Sequence, residues 1–272
     1  MKPKGVITVL GAILGDIIGS PFEFSSEKIK NFIAFDSRCR ITDDSLMTIA
    51  VGCACAEADL FDEEAFQATL VRYMREIGRT YPQAGYGGMF YQWLFDDDMG
   101  AYGGYGNGSA MRVSPVAWAA TSLQEAERLA KLSAEVTHNH PDGIAGAQAV
   151  AAAIYLAREG KSKEEIRAYV EKHYYDLHFT LDEIRPTYAF DVTCRGSVPQ
   201  AIVAFLESDG FEDAIRNAVS LGGDGDTQGA IAGAIAEAFY GIPQDLEERA
   251  FRYMDDTVTD YYFSYADTLY QM

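Results

Sequence analysis

Two short runs place paired carboxylates beside a hydroxyl: Thr42-Asp43-Asp44-Ser45 and Asp224-Gly225-Asp226-Thr227. An apolar, helix-patterned run follows each at once, so each pair stands at the mouth of a segment built for burial. Acids in a helix's first turn favour the macrodipole, and that alone accounts for many such pairs. The second run asks for more. Gly222, Gly223 and Gly225 surround its aspartates, and glycine permits positive φ and close backbone approach at an entropic cost. Carboxylate, hydroxyl and carbonyl oxygens are the ligands of hard cations such as Mg2+, Mn2+ or Ca2+. If both helix starts face one cleft, four aspartates and two threonines could hold one or two divalent ions. The ions would neutralise carboxylates that otherwise repel one another.

Two other readings of these letters fail. An EF-hand loop beginning at Asp224 needs a bidentate Glu at its twelfth position, and Ile235 stands there. The Asp-x-Asp of aspartyl-phosphate phosphatases follows a hydrophobic strand, whereas Asn217-Ala218-Val219-Ser220-Leu221 reads as the end of a helix.

The elements that must carry these residues read as helices nearly throughout, with little strand-like alternation. Periodicity predicts helices over 5–19, 44–58, 63–78, 85–95, 110–120, 123–136, 142–159, 162–173, 198–207, 211–220, 227–240 and 245–254. Thr42 reads as an N-cap with acids in the turn behind it, and Ser122 with Glu125 as a capping box. Ser197 reads as a cap ahead of Pro199 in a first turn, and Gly210 and Gly241 as stops. The stretches 143–157 and 229–240 are so rich in small apolar residues that burial on all sides is expected. Gly11, Gly15 and Gly19 form one stripe that lets another helix approach closely. The long irregular segment 174–196, with Tyr174, Tyr175, Phe179, Tyr188 and Phe190, reads as a functional flap or a packed surface loop. The expectation is all-α: a single compact orthogonal multi-helix domain over residues 1–272.

Composition narrows the function. The 272 residues are 48% hydrophobic, enough for one large core. The formal net charge of −19 repels phosphate backbones and anionic lipid, so nucleic acid and membrane are unlikely partners. An anionic small ligand would need metal ions, helix N-termini or backbone amides. Asp16 interrupts the N-terminal apolar run before it could span a membrane, so no targeting segment is expected. Of the four cysteines Cys39, Cys53, Cys55 and Cys194, Cys53 and Cys55 are one residue apart on a helical pattern, which suits neither a local disulfide nor a zinc hook. They read as free thiols in a reducing cytoplasm.

Five blocks, in order, resemble the ADP-ribosylglycohydrolase family across essentially the whole chain. They are Gly15-Asp-Ile-Ile-Gly-Ser-Pro-Phe-Glu23; Thr42-Asp43-Asp44-Ser45; Tyr105-Gly106-Asn107-Gly108-Ser109-Ala110-Met111-Arg112 with Pro115; Thr137-His138-Asn139-His140-Pro141; and Gly222-Gly223-Asp224-Gly225-Asp226-Thr227. The resemblance implies an all-α globule with a two-metal cleft, usually for Mg2+ or Mn2+. It implies Thr42, Asp43, Asp44, Asp224, Asp226 and Thr227 as metal ligands. It places Glu23 on a loop that orients substrate or water, and gives Glu23 or Asp43 the catalytic proton. It implies that Gly106, Asn107, Gly108, Ser109, Met111 and Arg112 cradle a diphosphate, that Tyr105 stacks on adenine and that His138 touches the diphosphate or distal ribose. Read from the residues alone, Tyr105 could be ordinary packing, Arg112 a structural ion pair, and His138 with His140 a capped turn. Ser45 and Gln228 depart from the family's usual Thr and small residue, and neither removes a metal ligand.

The activity implied is hydrolysis of the C1″ glycosidic bond of an ADP-ribosyl group, releasing ADP-ribose from a modified protein side chain or a small ADP-ribosyl substrate. Asp96, Asp97 and Asp98 offer a further proton source but read first as a solvated acidic turn. The competing expectations are hydrolysis of another ADP-ribosyl metabolite or nucleotide, and a non-catalytic ADP-ribose-binding scaffold.

Overall fold

A computed structural model describes residues 9–271. Among the described residues there are fifteen α-helices and no strand. The only extended pairings are two isolated antiparallel bridges, Ser25 with Gly223 and Gly106 with Thr193.

The organising contact is between α1 (Gly11–Gly19) and α13 (Gly225–Tyr240). A methyl group on Gly15 would lie 2.0 Å from the carbonyl oxygen of Gly229. One on Gly11 would lie 2.4 Å from that of Gly233, and one on Gly19 2.2 Å from that of Gly225. The stripe expected on α1 therefore meets a second stripe, Gly225-Gly229-Gly233, running the opposite way. The Glu237 carboxylate, one turn further along α13, accepts the Gly11 N–H at 2.8 Å and caps the start of α1. The antiparallel register sets the C-terminal end of α1, with Asp16 and the loop to Glu23, beside the N-terminal end of α13, with Asp224 and Asp226. Gly15→Ala pushes a methyl into backbone that has no room to yield. Overpacking of this kind costs about 1–3 kcal/mol or more, and urea unfolding should show a loss at the upper end of that range.

Around this pair the other buried helices close the core. α2 (Asp43–Glu57) packs on α3 (Glu63–Thr80) and on α15 (Asp256–Gln271). α8 (Pro141–Arg158), α11 (Cys194–Leu206) and α12 (Phe211–Val219) pack on α13. The Ala- and Gly-rich stretches of α8 and α13 are buried on nearly every side, as their composition predicts. The remaining helices are α4 (Gly88–Phe95), α5 (Gly108–Met111), α6 (Ser114–Ala119), α7 (Leu123–Glu135), α9 (Lys163–His173), α10 (Leu181–Ile184) and α14 (Gln244–Ala250).

Several boundaries differ from expectation. The first helix starts at Gly11, and residues 5–8 of the expected helix lie outside the described residues. The expected helix 110–120 is two, α5 and α6, because Pro115 has no N–H to carry the ladder through Arg112 and Val113. α11 begins at Cys194, where the Thr193 hydroxyl accepts the Gly196 N–H, so Pro199 lies inside the helix rather than in its first turn. Gly210 is the N-cap of α12 and not a stop, whereas Gly241 ends α13 at φ +77° as predicted. Glu125 reaches the N–H of Thr121, one residue before Ser122, so only half of that capping box forms. Helix α15 was not anticipated. Its aromatic and acidic residues mask the spacing of Val258, Tyr262, Tyr265, Ala266 and Leu269, which are buried along one face.

Candidate metal centre

Both acidic runs stand at helix starts as predicted, and the fold brings the two starts together. The Thr42 hydroxyl caps α2 by accepting the Asp44 N–H at 3.3 Å. The Thr227 hydroxyl, from the first turn of α13, donates to Asp44 Oδ2 at 3.3 Å. Asp224 is the N-cap residue of α13, and Asn107 Nδ2 donates to its Oδ2 at 2.6 Å. The left-handed Gly222 (φ +69°) and Gly223 (φ +93°) turn the chain into this position. Glu23 stands at the rim, with Arg40 at 3.5 Å.

One residue at the centre was not singled out from the sequence as a site residue. Asp16, on α1, is fully buried. Its Oδ1 accepts the Thr42 hydroxyl at 2.8 Å. Its Oδ2 accepts the Thr42 N–H at 2.8 Å, the Ser45 N–H at 3.1 Å and the Ser45 hydroxyl. Because the single proton of the Thr42 hydroxyl points at Asp16 and the Asp44 N–H takes one lone pair, one lone pair of that oxygen is left for a further partner.

Carboxylate oxygens of Asp16, Asp44 and Asp226 lie within 4.8 Å of one another, all buried. Asp44 Oδ1 is inaccessible and has no hydrogen-bond partner. Among the described residues no Lys, Arg or His forms an ion pair with Asp16, Asp43, Asp44, Asp224 or Asp226. Burial first, and then the neighbouring carboxylates, push Asp43, Asp44 and Asp226 well above the usual carboxylate range. Burial also raises Asp16 and Asp224, against the hydrogen bonds each accepts. Glu23 is raised by burial and then by Asp224. An all-oxygen donor set with an orphaned carboxylate oxygen and no counter-charge fits hard divalent cations.

The sign of the pH dependence follows. In metal-free protein these carboxyls hold protons in the folded state that the unfolded chain has released. Their contribution to stability is present below the unfolded value, 3.8 for Asp, and is lost as pH rises from there toward the raised folded values. With chelator, the protein should melt higher at about pH 5.5 than at about pH 7.5, and the gain on adding Mg2+ or Mn2+ should widen with pH. A chelated protein whose melting temperature rises across that interval would contradict the assignment.

The glycine block lies alongside. Tyr105 is 53% exposed and sits 5.6 Å from His140, ring to ring. Gly106 pairs with Thr193, and the Asn107 N–H donates to the Val192 carbonyl at 2.8 Å. Ser109 Oγ is taken up by the Gly143 carbonyl at 2.7 Å, and Met111 Sδ faces the Thr227 hydroxyl at 3.7 Å. Arg112 points the other way, into the core. It is buried, forms no ion pair, and donates to the Ser133 carbonyl and the Thr137 hydroxyl at 3.1 and 2.9 Å. Burial lowers it to about 10. Thr137 Oγ1 stands 2.8 Å from His138 Nδ1. Arg112 fills one of that hydroxyl's two acceptor positions, and its proton is free to donate to Nδ1, the hydrogen bond of an Nε2–H tautomer. Burial lowers His138 to about 3, so the ring is neutral. Its Nε2–H faces Gly106 and Gly108. His140 caps α8 by accepting the Asp142 N–H, the capped turn foreseen for it. Asp97 is exposed and tied to Arg79 and Arg75, which bears out the solvated reading of the 96–98 turn.

Segment 174–196 contains the short helix α10 and then runs past the acidic cluster. A methyl on Gly223 would lie 3.0 Å from Phe190 Cα. One half-buried and one buried side chain, Lys28 and Gln228, fasten the segment there. Lys28 donates to the carbonyls of Tyr188 and Leu221, and Gln228 donates to the Tyr188 hydroxyl. Gln228 was visible as a departure from the family, but nothing in the sequence pointed to its partner.

The chain is similar to known proteins over most of its length. A family model described as ADP-ribosylglycohydrolase matches residues 4–271. The chain is 28% identical to ADP-ribosylhydrolase ARH3 of Mus musculus, over 86% of this chain and 83% of that one. It is 27% identical to ADP-ribosylarginine hydrolase Tri1 of Pseudomonas putida, over 89% and 71%. To the ADP-ribosyl-[dinitrogen reductase] glycohydrolase of Rhodospirillum rubrum it is 26% identical, over 86% and 84%. A solved structure titled ADP-ribosylglycohydrolase-related protein complex superposes with a TM-score of 0.66 at 24% identity, covering 98% of this chain and 96% of that one, and shares the fold. With a family match that runs the length of the chain onto an all-α body, this protein belongs to the ADP-ribosylglycohydrolase family, hydrolases of glycosyl bonds.

Proposed function

We propose that the chain is a single-domain, metal-dependent hydrolase that cleaves the C1″ glycosidic bond of an ADP-ribosyl group and releases ADP-ribose from a modified protein side chain. The observation that carries this reading is the buried convergence of Asp16, Asp44 and Asp226 with no Lys, Arg or His ion pair to them among the described residues. Thr42, Asp43, Asp44, Asp224, Asp226 and Thr227 would hold two divalent cations, Mg2+ or Mn2+. When bound, the ions supply charge neutralisation and Lewis-acid polarisation at the reacting ribose.

The chain's own groups account for the remaining work. Asp16 fixes Thr42 and Ser45, so the start of α2 presents its oxygens in one orientation. Glu23, at the rim beside Asp224 and raised by burial and then by that neighbour, holds or takes up the proton at its carboxylate, with Asp43 the deeper candidate. The bond breaks through an oxocarbenium-like transition state, which a carboxylate-rich pocket favours. The Gly106, Gly108 and Ser109 amides and the His138 Nε2–H offer neutral donors to the diphosphate, the Asn107 amide being taken by Val192, and an acidic protein cannot attract a diphosphate with its net charge. Arg112 serves through Thr137 by holding the hydroxyl that meets His138 Nδ1. Tyr105, exposed at the end of the block, offers a face to adenine. The unpaired, buried state of Cys39, Cys53, Cys55 and Cys194 suits a reducing cytoplasm. No helix of the described residues is long and apolar enough to cross a membrane.

The test is calorimetric titration of ADP-ribose into chelated and into Mg2+- or Mn2+-loaded protein. Binding that depends on metal supports the reading. Equal binding with and without metal separates the ribose from the carboxylates, and no binding in either state removes ADP-ribose as the ligand.

A further inference from the structure

Lys28, Lys30 and Arg185 line one cavity of about 350 Å3, which shares no lining residue with the carboxylate cluster or the glycine block. The loop between Glu23 and α2 supplies the two lysines, and α10 supplies Asp182 and Arg185. Glu207 and Asn217 complete the wall from the end of α11 and from α12. In a chain of net charge −19, three cations on one concavity stand against the field of the whole molecule. The acids nearby answer them only in part. Glu207 is turned to the Leu181 N–H, which its two oxygens accept at 3.2 and 3.4 Å. Asp182 pairs with Arg185 and Asp213 with Lys30. The Asp182 side chain is 90% exposed, and an ion pair so open to water holds its partner weakly.

Donors are left over. An ammonium has three N–H groups and a guanidinium five. Lys28 gives two to the carbonyls of Tyr188 and Leu221, and the third has no acceptor among the described residues. Arg185 gives Nε to Ser220 Oγ at 3.2 Å and an Nη1 proton to Asp182, and its Nη2 has no acceptor among the described residues. Burial and then Arg185 push Lys28 below the usual lysine value, as two cations facing each other do. We infer that this cavity binds a phosphate-class oxyanion, free phosphate or the end of a phosphomonoester, held between Arg185 and the two lysines. A guanidinium meets two phosphate oxygens at once, and an ammonium acts on the others as a point charge. A carboxylate has two oxygens in one plane, enough for the guanidinium but not for lysines on another element. The site uses no metal and stands apart from the hydrolase reading. A bound anion ties the loop that follows Glu23 to α10, and Lys28 links that tie to Leu221, the residue before Gly222-Gly223-Asp224.

The experiment is calorimetric titration of inorganic phosphate and of ribose 5-phosphate into the full chain, with chelator and with Mg2+, for the parent, K30Q/R185Q and D182N. The parent should bind with a Kd near or below about 1 mM in both states, since no metal takes part. K30Q/R185Q should weaken binding about tenfold or more while its far-UV circular dichroism stays that of the parent. D182N, a change on an exposed side chain, should tighten binding about two- to threefold by freeing Arg185. Tighter binding of the ester than of free phosphate marks an ester as the ligand, and the reverse order marks free phosphate. Binding that appears only with Mg2+ would place the phosphate at the carboxylates and overturn the inference. No binding of either compound up to about 20 mM, or equal affinity in the parent and K30Q/R185Q, would overturn it too. Should the double variant fail to fold, a D182N variant that binds no tighter than the parent is enough to overturn it.

Discussion

Asp226→Ala is expected to abolish metal-dependent turnover while the metal-free protein melts no lower than the parent. Two arguments lead to this result. Asp226 is buried in the first turn of α13, within reach of Asp44 and Asp16. If its carboxylate holds a cation, its loss removes several kcal/mol of transition-state stabilisation, or about three powers of ten in rate. Stability points the other way. Without metal, Asp226 is a buried acid whose charged form is opposed by Asp44, Asp224, Glu23 and Asp16. Removing it relieves that repulsion, which offsets the small cavity left behind. The parent should gain about 2.7 kcal/mol from metal at a hundred times its Kd, and the variant should gain almost none. Melting curves with chelator and with Mn2+, set beside the turnover rate, check both halves. Retained activity with added Mg2+ or Mn2+ would remove Asp226 from the ligand set.

The sequence announced the two acidic helix starts because they use local chemistry. A threonine cap, first-turn acids and clustered glycines are legible within a few residues. That α1 buries a stripe of glycines was legible too, since Gly11, Gly15 and Gly19 fall on one face. Its partner, Gly225-Gly229-Gly233, was equally visible as letters, but their pairing is a long-range fact. The same limit hid Asp16. As one acid in an apolar run it reads as a helix that escapes the membrane, and only the register of α1 on α13 turns it toward Thr42 and Ser45. Arg112 shows the reverse. Its place in the glycine block suggested contact with substrate, while the break before Pro115 turns it inward, where it donates to Ser133 and to the Thr137 hydroxyl beside His138. The roles of Lys28 and Gln228 depend on tertiary partners more than a hundred residues away in one case and forty in the other. Local patterns carry no trace of such pairings.

Asp16→Asn is expected to weaken metal binding about 10- to 100-fold, the usual cost of losing a residue that orients ligands without being one. The substitution keeps the shape and changes the chemistry. Asp16 receives four donors, two from Thr42 and two from Ser45. An amide in either orientation sets its own N–H groups against some of them. Thr42 then loses the acceptor that aims its proton away from the other carboxylates, and its hydroxyl can turn toward Asp44, already 3.4 Å away. Ser45→Ala removes only one of the four donors, so it should move metal affinity the same way by less. Mn2+ titration of both variants tests the ordering. The magnitude also separates two roles that the geometry allows. If Asp16 itself grips the ion, Asn should fall to the level of Asp226→Ala. If it works through Thr42 and Ser45, the variant should still turn over at high metal, with its kcat partly restored and its metal requirement raised. Four donors on two oxygens leave Asp16 little capacity for a cation, which is why the second outcome is the one expected.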